Sequence, residues 1–437
     1  MPKKKGNVEP ANKKHDQIKT DTVVKPKNEP TVSIEWQLVR KWNFILIIVS
    51  SVIARLILYN WCGQWLSTRP ELSTPLVSID RLKEGVLLKK DTGNPYFGDR
   101  VHVTPLMLSL LPQTNDNVLL IMLIIVDTLS GVILSVGSSK FAAQRGQSID
   151  QSIDIGTNVL KWYLLNPISM ATCCSLSLSV ILIHLLSIFT AAFLYGESFI
   201  ASFVLAISTQ FSLYPIVLLA PLLNQMAGRR VLALTVFVVT LSALSLLNFT
   251  LGGNSWEYVN HTYLFNLMVL DLTPNVGIFW YFFTEIFTHF FDFFLILFQL
   301  NVVVYILPLA LTLRNAPFLN LLVSFALIAV FVPYPSLSDG TVFFSLLPLV
   351  EERHWKGMRH VLVESCTILT CIALMPIMWH MWVVSGSGNA NFYFGVTLFY
   401  NVALIRMGID IVYSYVRTDL EERCPEDIQE NSLIYFD

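Results

Sequence analysis

The acids and bases of this 437-residue chain are few, and their positions decide which chemistries are open to it. Asp80, Glu84, Asp91 and Asp99 stand between the first two apolar runs. A loop carboxylate can act as a general base toward an acceptor hydroxyl, commonly as one of a close acidic pair that also holds a metal. None of the four is in an Asp-x-Asp or adjacent Asp-Glu arrangement, and Asp80 reads as a solvated loop acid rather than a lone base. Arg55, Asp127, Arg406 and Asp410 fall inside apolar runs, where a charge needs a partner or a polar cavity. Arg406 and Asp410, spaced i, i+4, are expected to pair on one helix face. Arg55 and Asp127 are expected to pair between consecutive spans, and both pairs read as structural staples.

Two further stretches carry recognition chemistry. In Ser385 to Asn391, SGSGNAN, small residues let a backbone approach a ligand closely, while Asn389 and Asn391 offer amides suited to phosphate or sugar hydroxyls. The same residues are also ordinary turn formers. Upstream, Trp280, Tyr281 and Phe283 stand in an aromatic block with Glu285, His289 and Asp292, a mixture that suits the boundary between water and lipid. That block is expected either to contact acyl chains or simply to anchor its helix. No Ser or Cys stands in a nucleophile elbow, and no glycine loop could cradle a nucleotide phosphate. The cysteines, including Cys62, Cys173, Cys174, Cys366, Cys371 and Cys424, lack metal-ligand spacing with histidine. Neither zinc, nor another metal or cofactor, nor a disulfide framework is expected.

The elements that hold these residues are membrane helices. With 54% apolar and 14% charged residues, the chain departs from soluble averages toward a polytopic membrane protein. Nothing in it resembles a basic patch for nucleic acid. Residues 1–41 are lysine-bearing, proline-interrupted and short of apolar anchors, which predicts a disordered tail. Apolar runs at 42–60, 117–137, 158–168, 171–194, 199–223 (broken at Pro215), 231–250, 293–313, 317–332, 341–350, 361–384 and 392–415 give about twelve candidate spans. Lys140, Arg145, Arg229, Arg230, Arg314, Arg353, Lys356 and Arg359 then share the cytoplasmic side with both termini. Sequons at Asn248 and Asn260 fall on the other side, with Asn248 close to the membrane.

The segment DLTPNVGIFWYFFTEIFTHF with FQLNVVVYILPLAL resembles the signature region of the class U subunits of the glycosylphosphatidylinositol (GPI) transamidase. NPYFGDRVHVTPL (94–106), WYLLNPISM (162–170), TQFSLYPIVLLAP (209–221) and PIMWHMWVVSGSGNANFYFGVTLFYNV (376–402) continue the likeness. The resemblance implies an all-α, multi-pass endoplasmic reticulum protein with a GT-C glycosyltransferase-like arrangement and no catalysis of its own. It implies a role in binding and presenting GPI, and partners in the class K catalytic subunit, classes S and T and the GPI attachment protein. Both asparagines match positions of the class U pattern. On this reading residues 1–41 and 417–437 are cytoplasmic tails, and 42–416 form the transmembrane domain. That domain carries a lumenal loop at 62–104, an interfacial aromatic helix at 276–292 and a second lumenal loop at 385–391. Asn389, Asn391, Trp280, Tyr281, Phe283, Glu285 and His289 are the expected lipid-binding residues. A GPI-pathway mannosyltransferase and a lipid transporter are the alternatives. The aromatic block also bears some likeness to fatty-acid elongases. His289, however, is followed by Phe290 and Phe291 with no further histidine nearby, so acyl contact rather than condensation chemistry is what that likeness implies.

Overall fold

A chain that enters lipid must satisfy its own backbone hydrogen bonds, and apolar runs of this length do so as helices. The computed structural model describes residues 33–110 and 115–423. Six of its helices are long and apolar enough to cross a membrane: Trp42–Ser67, Asp116–Gln144, Arg230–Leu251, Thr288–Thr312, Val361–Val384 and Ala390–Arg423. Shorter apolar helices run over Ser179–Tyr195, Ser198–Phe211, Pro317–Phe331 and Leu337–Leu349. No strand occurs among the described residues, and the chain from Ile34 onward forms one compact unit. The expectation of about twelve spans counts the shorter helices as crossings, whereas by length and composition six helices qualify.

Small residues bring the central helices together. Asp116–Gln144 packs against Ile149–Leu164 and Ser179–Tyr195. A Cβ at Gly156 would sit 2.8 Å from the Ser135 carbonyl oxygen, and one at Gly131 would sit 2.9 Å from Leu164. Such close approach is the usual basis of helix association in lipid. Ser135 Oγ and Ser139 Oγ use it to donate to the carbonyls of Gly156 and Ser152, at 2.6 and 2.8 Å.

Arg55 and Asp127 pair as expected, with Nη2 2.6 Å from Oδ2 and both side chains almost wholly buried. Arg55 also donates to the carbonyls of Ser51 and Leu164 and to Ser169 Oγ, while Tyr163 donates to Asp127 Oδ1 at 2.7 Å. A buried ion pair needs this full satisfaction to offset desolvation. It ties four helical segments together, Trp42–Ser67, Asp116–Gln144, Ile149–Leu164 and Pro167–Cys174.

The second staple is different from the expected one. Asp410 accepts the backbone N–H groups of Arg359 and His360 at 3.0 and 2.7 Å, closing the start of the Val361–Trp379 helix. Arg406 instead approaches Glu364 Oε1 at 3.7 Å and His360 Nδ1 at 3.0 Å. Free N–H groups at a helix start attract a carboxylate more strongly than a half-exposed arginine on the same helix.

Other boundaries also shift. The expected span at 158–168 belongs to Ile149–Leu164, which starts at a Ser148/Gln151 capping box and is followed by Pro167–Cys174, capped by Asn166. The expected interfacial helix at 276–292 is helical only over Phe279–Glu285. Ile286 and Phe287 are extended, and the next long helix begins at Phe291. Within the expected tail at 1–41, Ile34–Arg40 is helical. At the other end the last helix passes residue 416 and runs to Arg423, supported by Arg417–Glu421 and Arg423–Asp419 pairs at i, i+4. Residues 1–32 and 424–437, with most of both expected tails and Cys424, lie outside the described residues.

Ion pairs mark two opposite sets of connections. Lys41–Asp154, Lys140–Glu35, Arg145–Glu351 and Arg353–Glu422 link the segments expected on the cytoplasmic side. The Arg81–Asp271 ion pair at 2.9 Å and a hydrogen bond from the Asn94 amide to Glu257 link the loops expected on the other side. Such exposed pairs contribute about 0–1 kcal/mol each, so they matter here as markers of which loops meet. The sequon at Asn248 lies on a fully buried side chain whose Oδ1 accepts the N–H of Leu106, while Asn260 is exposed.

Candidate functional site

The 385–391 turn is built by local hydrogen bonds before any ligand is considered. Ser385 N–H donates to the His380 carbonyl and Gly388 N–H to the Met381 carbonyl, both at 2.9 Å. Gly386 takes φ +63°, a left-handed conformation that glycine adopts without strain. Asn389 then caps the last helix: its Oδ1 accepts the Asn391 N–H at 3.1 Å, and its carbonyl accepts the Phe392 N–H. That helix, Ala390–Arg423, is 34 residues long, and its N-terminus carries a partial positive charge.

Asn391 is fixed from another part of the chain. Its Oδ1 accepts the hydroxyl of Tyr281, from the short Phe279–Glu285 helix. Tyr281 also stacks on Phe394, with ring centroids 4.3 Å apart and planes within 16°. Beneath it Trp280 packs against Trp382, Phe394 and Tyr393, and Asn401 donates to the Val276 carbonyl at 2.7 Å. Both asparagine side-chain oxygens are therefore engaged internally. Each leaves its Nδ2 amide donor without a protein partner, on exposed residues beside a helix N-terminus. Amide donors in a positive field are the groups that recognise phosphate oxygens.

The other expected residues have different places. Trp280 and Phe283 are only 3% and 4% exposed. Phe283 belongs to a separate aromatic cluster with Phe279, Phe291 and Phe298. Glu285 and His289 are exposed, with the His289 ring 3.9 Å from that of Phe290, and neither reaches the asparagines. The aromatic surface that faces outward is instead Phe287, Phe290 and Phe293, at 73%, 46% and 64% exposure. Trp379, Trp382, Tyr393 and Phe394 complete the support, and the sequence reading does not single them out. Their signal was present, since aromatics flank the turn on both sides in WHMWVVSGSGNANFYF.

The loop acids do not gather into a catalytic group. Asp80 is exposed in the first turn of Ile79–Thr92, Glu84 pairs with Arg100 at 3.4 Å, and exposed Asp99 lies 3.6 Å from His261. Among the described residues, His360, Glu364 and Asp410 bring ligand atoms within 4.8 Å of one another. Arg406 already supplies the compensating positive charge there.

These features define a polytopic helical membrane protein whose 385–391 turn presents polar side chains at the start of its last helix. The family model described as "GPI transamidase subunit PIG-U" matches residues 48–400, and the chain belongs to that family. It is 31% identical over 411 residues to the human "GPI-anchor transamidase component PIGU", covering 86% of this chain and 94% of the relative. It is 30% identical over 372 residues to the "GPI transamidase component GAB1" of Saccharomyces cerevisiae, covering 83% and 91%. The GAB1 homolog of Schizosaccharomyces pombe is 28% identical over 384 residues. As a member of this family the chain is a subunit of the GPI transamidase complex.

Proposed function

We propose that the chain, as a component of the GPI transamidase complex in the endoplasmic reticulum membrane, binds the GPI lipid and presents it for attachment to precursor proteins. The observation that carries this reading is the pair of outward amide donors on Asn389 and Asn391, held by a helix cap and by Tyr281 at the start of a 34-residue helix. They suit a phosphate of the GPI headgroup. The exposed Phe287, Phe290 and Phe293 supply an apolar surface for its acyl chains. Trp280 and Phe283 act beneath the surface, Trp280 holding Tyr281 and Phe283 holding the start of the following helix.

In this reading both termini face the cytoplasm, as the linked basic segments favour, and the arrangement of helices is GT-C-like. The partners are the class K catalytic subunit, classes S and T and the GPI attachment protein. Cells carrying only the Asn389→Ala, Asn391→Ala protein test the proposal. Each hydrogen bond to a charged phosphate is worth about 1.5–3 kcal/mol, so surface levels of GPI-anchored reporters should fall at least about tenfold while the complex still assembles. Wild-type surface levels, including when GPI supply is limiting, would contradict it.

A further inference from the structure

A basic side chain stands below the polar boundary without an acid to neutralise it. Asp154, on the helix Ile149–Leu164, pairs with Lys41 just ahead of the first span and so marks that boundary on the side of Lys140 and Arg353. Lys161 follows on the same helix, about 10 Å of axis beyond Asp154 at 1.5 Å per residue. It is exposed, and among the described residues no carboxylate pairs with it. An unpaired ammonium is costly in hydrocarbon and needs either water or an anion. Beside Lys161 lies a groove of ≈ 680 Å³, formed by the end of its helix, the 344–355 segment and the first half of Val361–Trp379. That volume falls in the range of about 300–1,000 Å³ usual for small-molecule sites.

The lining divides into hydrogen-bond donors and hydrocarbon. Its polar side chains are Lys161, Asn166, Ser365 and the indoles of Trp162 and Trp355, with no carboxylate among them. Asn166 Oδ1 is engaged by the Ile168 N–H at 2.9 Å, which leaves the Nδ2 hydrogens to donate. The indoles suit the depth of lipid headgroups. The walls are apolar, with Ile368, Ile372 and Met407 at the back. Trp162, Leu165 and Leu369, at 48%, 43% and 64% exposure, leave the front open to surrounding lipid. A cation with neutral donors above an apolar trough matches an anionic head above an acyl chain. A zwitterionic head, whose own ammonium balances its phosphate, gains less from Lys161. The groove borders the start of the Val361–Val384 helix, whereas the Asn389–Asn391 turn follows its other end, so the two sites belong to opposite leaflets.

We infer that this groove holds one anionic diacyl phospholipid, its phosphate on Lys161 and the Asn166 amide and an acyl chain along Ile368 and Ile372. The full chain in mild detergent would be mixed with phosphatidylglycerol or phosphatidylcholine of identical acyl chains, and the retained lipid counted by native mass spectrometry. Wild type should hold phosphatidylglycerol at least fivefold more tightly than phosphatidylcholine. Lys161→Gln should lose that preference and keep its phosphatidylcholine binding, with no fall in melting temperature, since an unpaired charge is removed from lipid depth. Leu369→Trp, at an exposed position, should fill the groove and weaken both lipids at least fivefold. Equal retention of the two lipids by wild type would overturn the inference, as would wild-type phosphatidylglycerol binding in Lys161→Gln, the result expected if the lysine only reaches back to water along the groove wall. Unchanged binding in Leu369→Trp would also overturn it, and so would an equal loss in Arg314→Gln, at an exposed basic residue outside the groove. The Asn389→Ala, Asn391→Ala protein should bind phosphatidylglycerol normally, which separates this site from the proposed GPI phosphate contact.

Discussion

Tyr281 donates its hydroxyl hydrogen to Asn391 Oδ1 across 110 residues of sequence. The bond joins the short aromatic helix to the first turn of the last helix and sets which way the Asn391 amide faces. Tyr281→Phe should therefore preserve the stack on Phe394 but free that amide to rotate. A neutral hydrogen bond is worth about 0.5–1.5 kcal/mol, so GPI attachment, measured by surface reporters, should fall roughly two- to tenfold. Chain abundance should be unchanged.

The buried Arg55–Asp127 pair makes a stability prediction. Arg55→Leu or Asp127→Leu alone should destabilise the chain by about 3–5 kcal/mol, because each leaves the other partner's charge and hydrogen bonds uncompensated. The double variant Arg55→Leu, Asp127→Leu should lose less than the sum of the singles. Detergent melting temperatures and cellular abundance of the four proteins would check this; additive losses would mean the two residues act independently.

The aromatic block separates by burial. Trp280→Ala should cost about 3–5 kcal/mol by leaving a cavity among Trp382, Tyr393 and Phe394. Phe287→Ala, at a residue 73% exposed, should leave thermal stability within about 0.5 kcal/mol and reduce GPI association in the complex. Equal loss of stability in both would contradict this division.

His102 gives a pH test outside the spans. Burial holds its pKa at about 4 in the folded chain, against about 6.5 unfolded. Between these values the unfolded state binds more protons, so stability falls as pH drops from 6.5 toward 4. At pH 5 the difference is about 2 kcal/mol. His102→Gln, which keeps an acceptor, should show a shallower fall in melting temperature between pH 7 and 5 than the wild type.

What the sequence revealed follows its physics. Long apolar runs such as 42–60 and 117–137 were legible because length and composition decide whether a helix can span, and Arg55 with Asp127 because buried charges seek each other. The Arg406–Asp410 pairing was misread because i, i+4 spacing cannot report that the N-terminus of another helix competes for Asp410. The break at Ile286–Phe287 has no glycine or proline to announce it. The Ser148/Gln151 capping box, by contrast, was visible and would have moved a helix start to Ile149. Asn389 and Asn391 stood out by residue type, but their orientation depends on Tyr281, a distant contact. The groove beside Lys161 draws on several separate segments and leaves no local pattern.

The central claim, that the two amide donors hold a GPI phosphate, is tested most directly by Asn389→Asp, Asn391→Asp. Aspartate at 389 still caps the helix, and at 391 it still accepts from Tyr281, so the turn should keep its shape. Only the Nδ2 donors are lost, and negative charge replaces them. The measurement is the molar ratio of GPI to complex by mass spectrometry after gentle extraction. A fall of at least about tenfold with every subunit still present is the predicted result; an unchanged ratio would contradict the account.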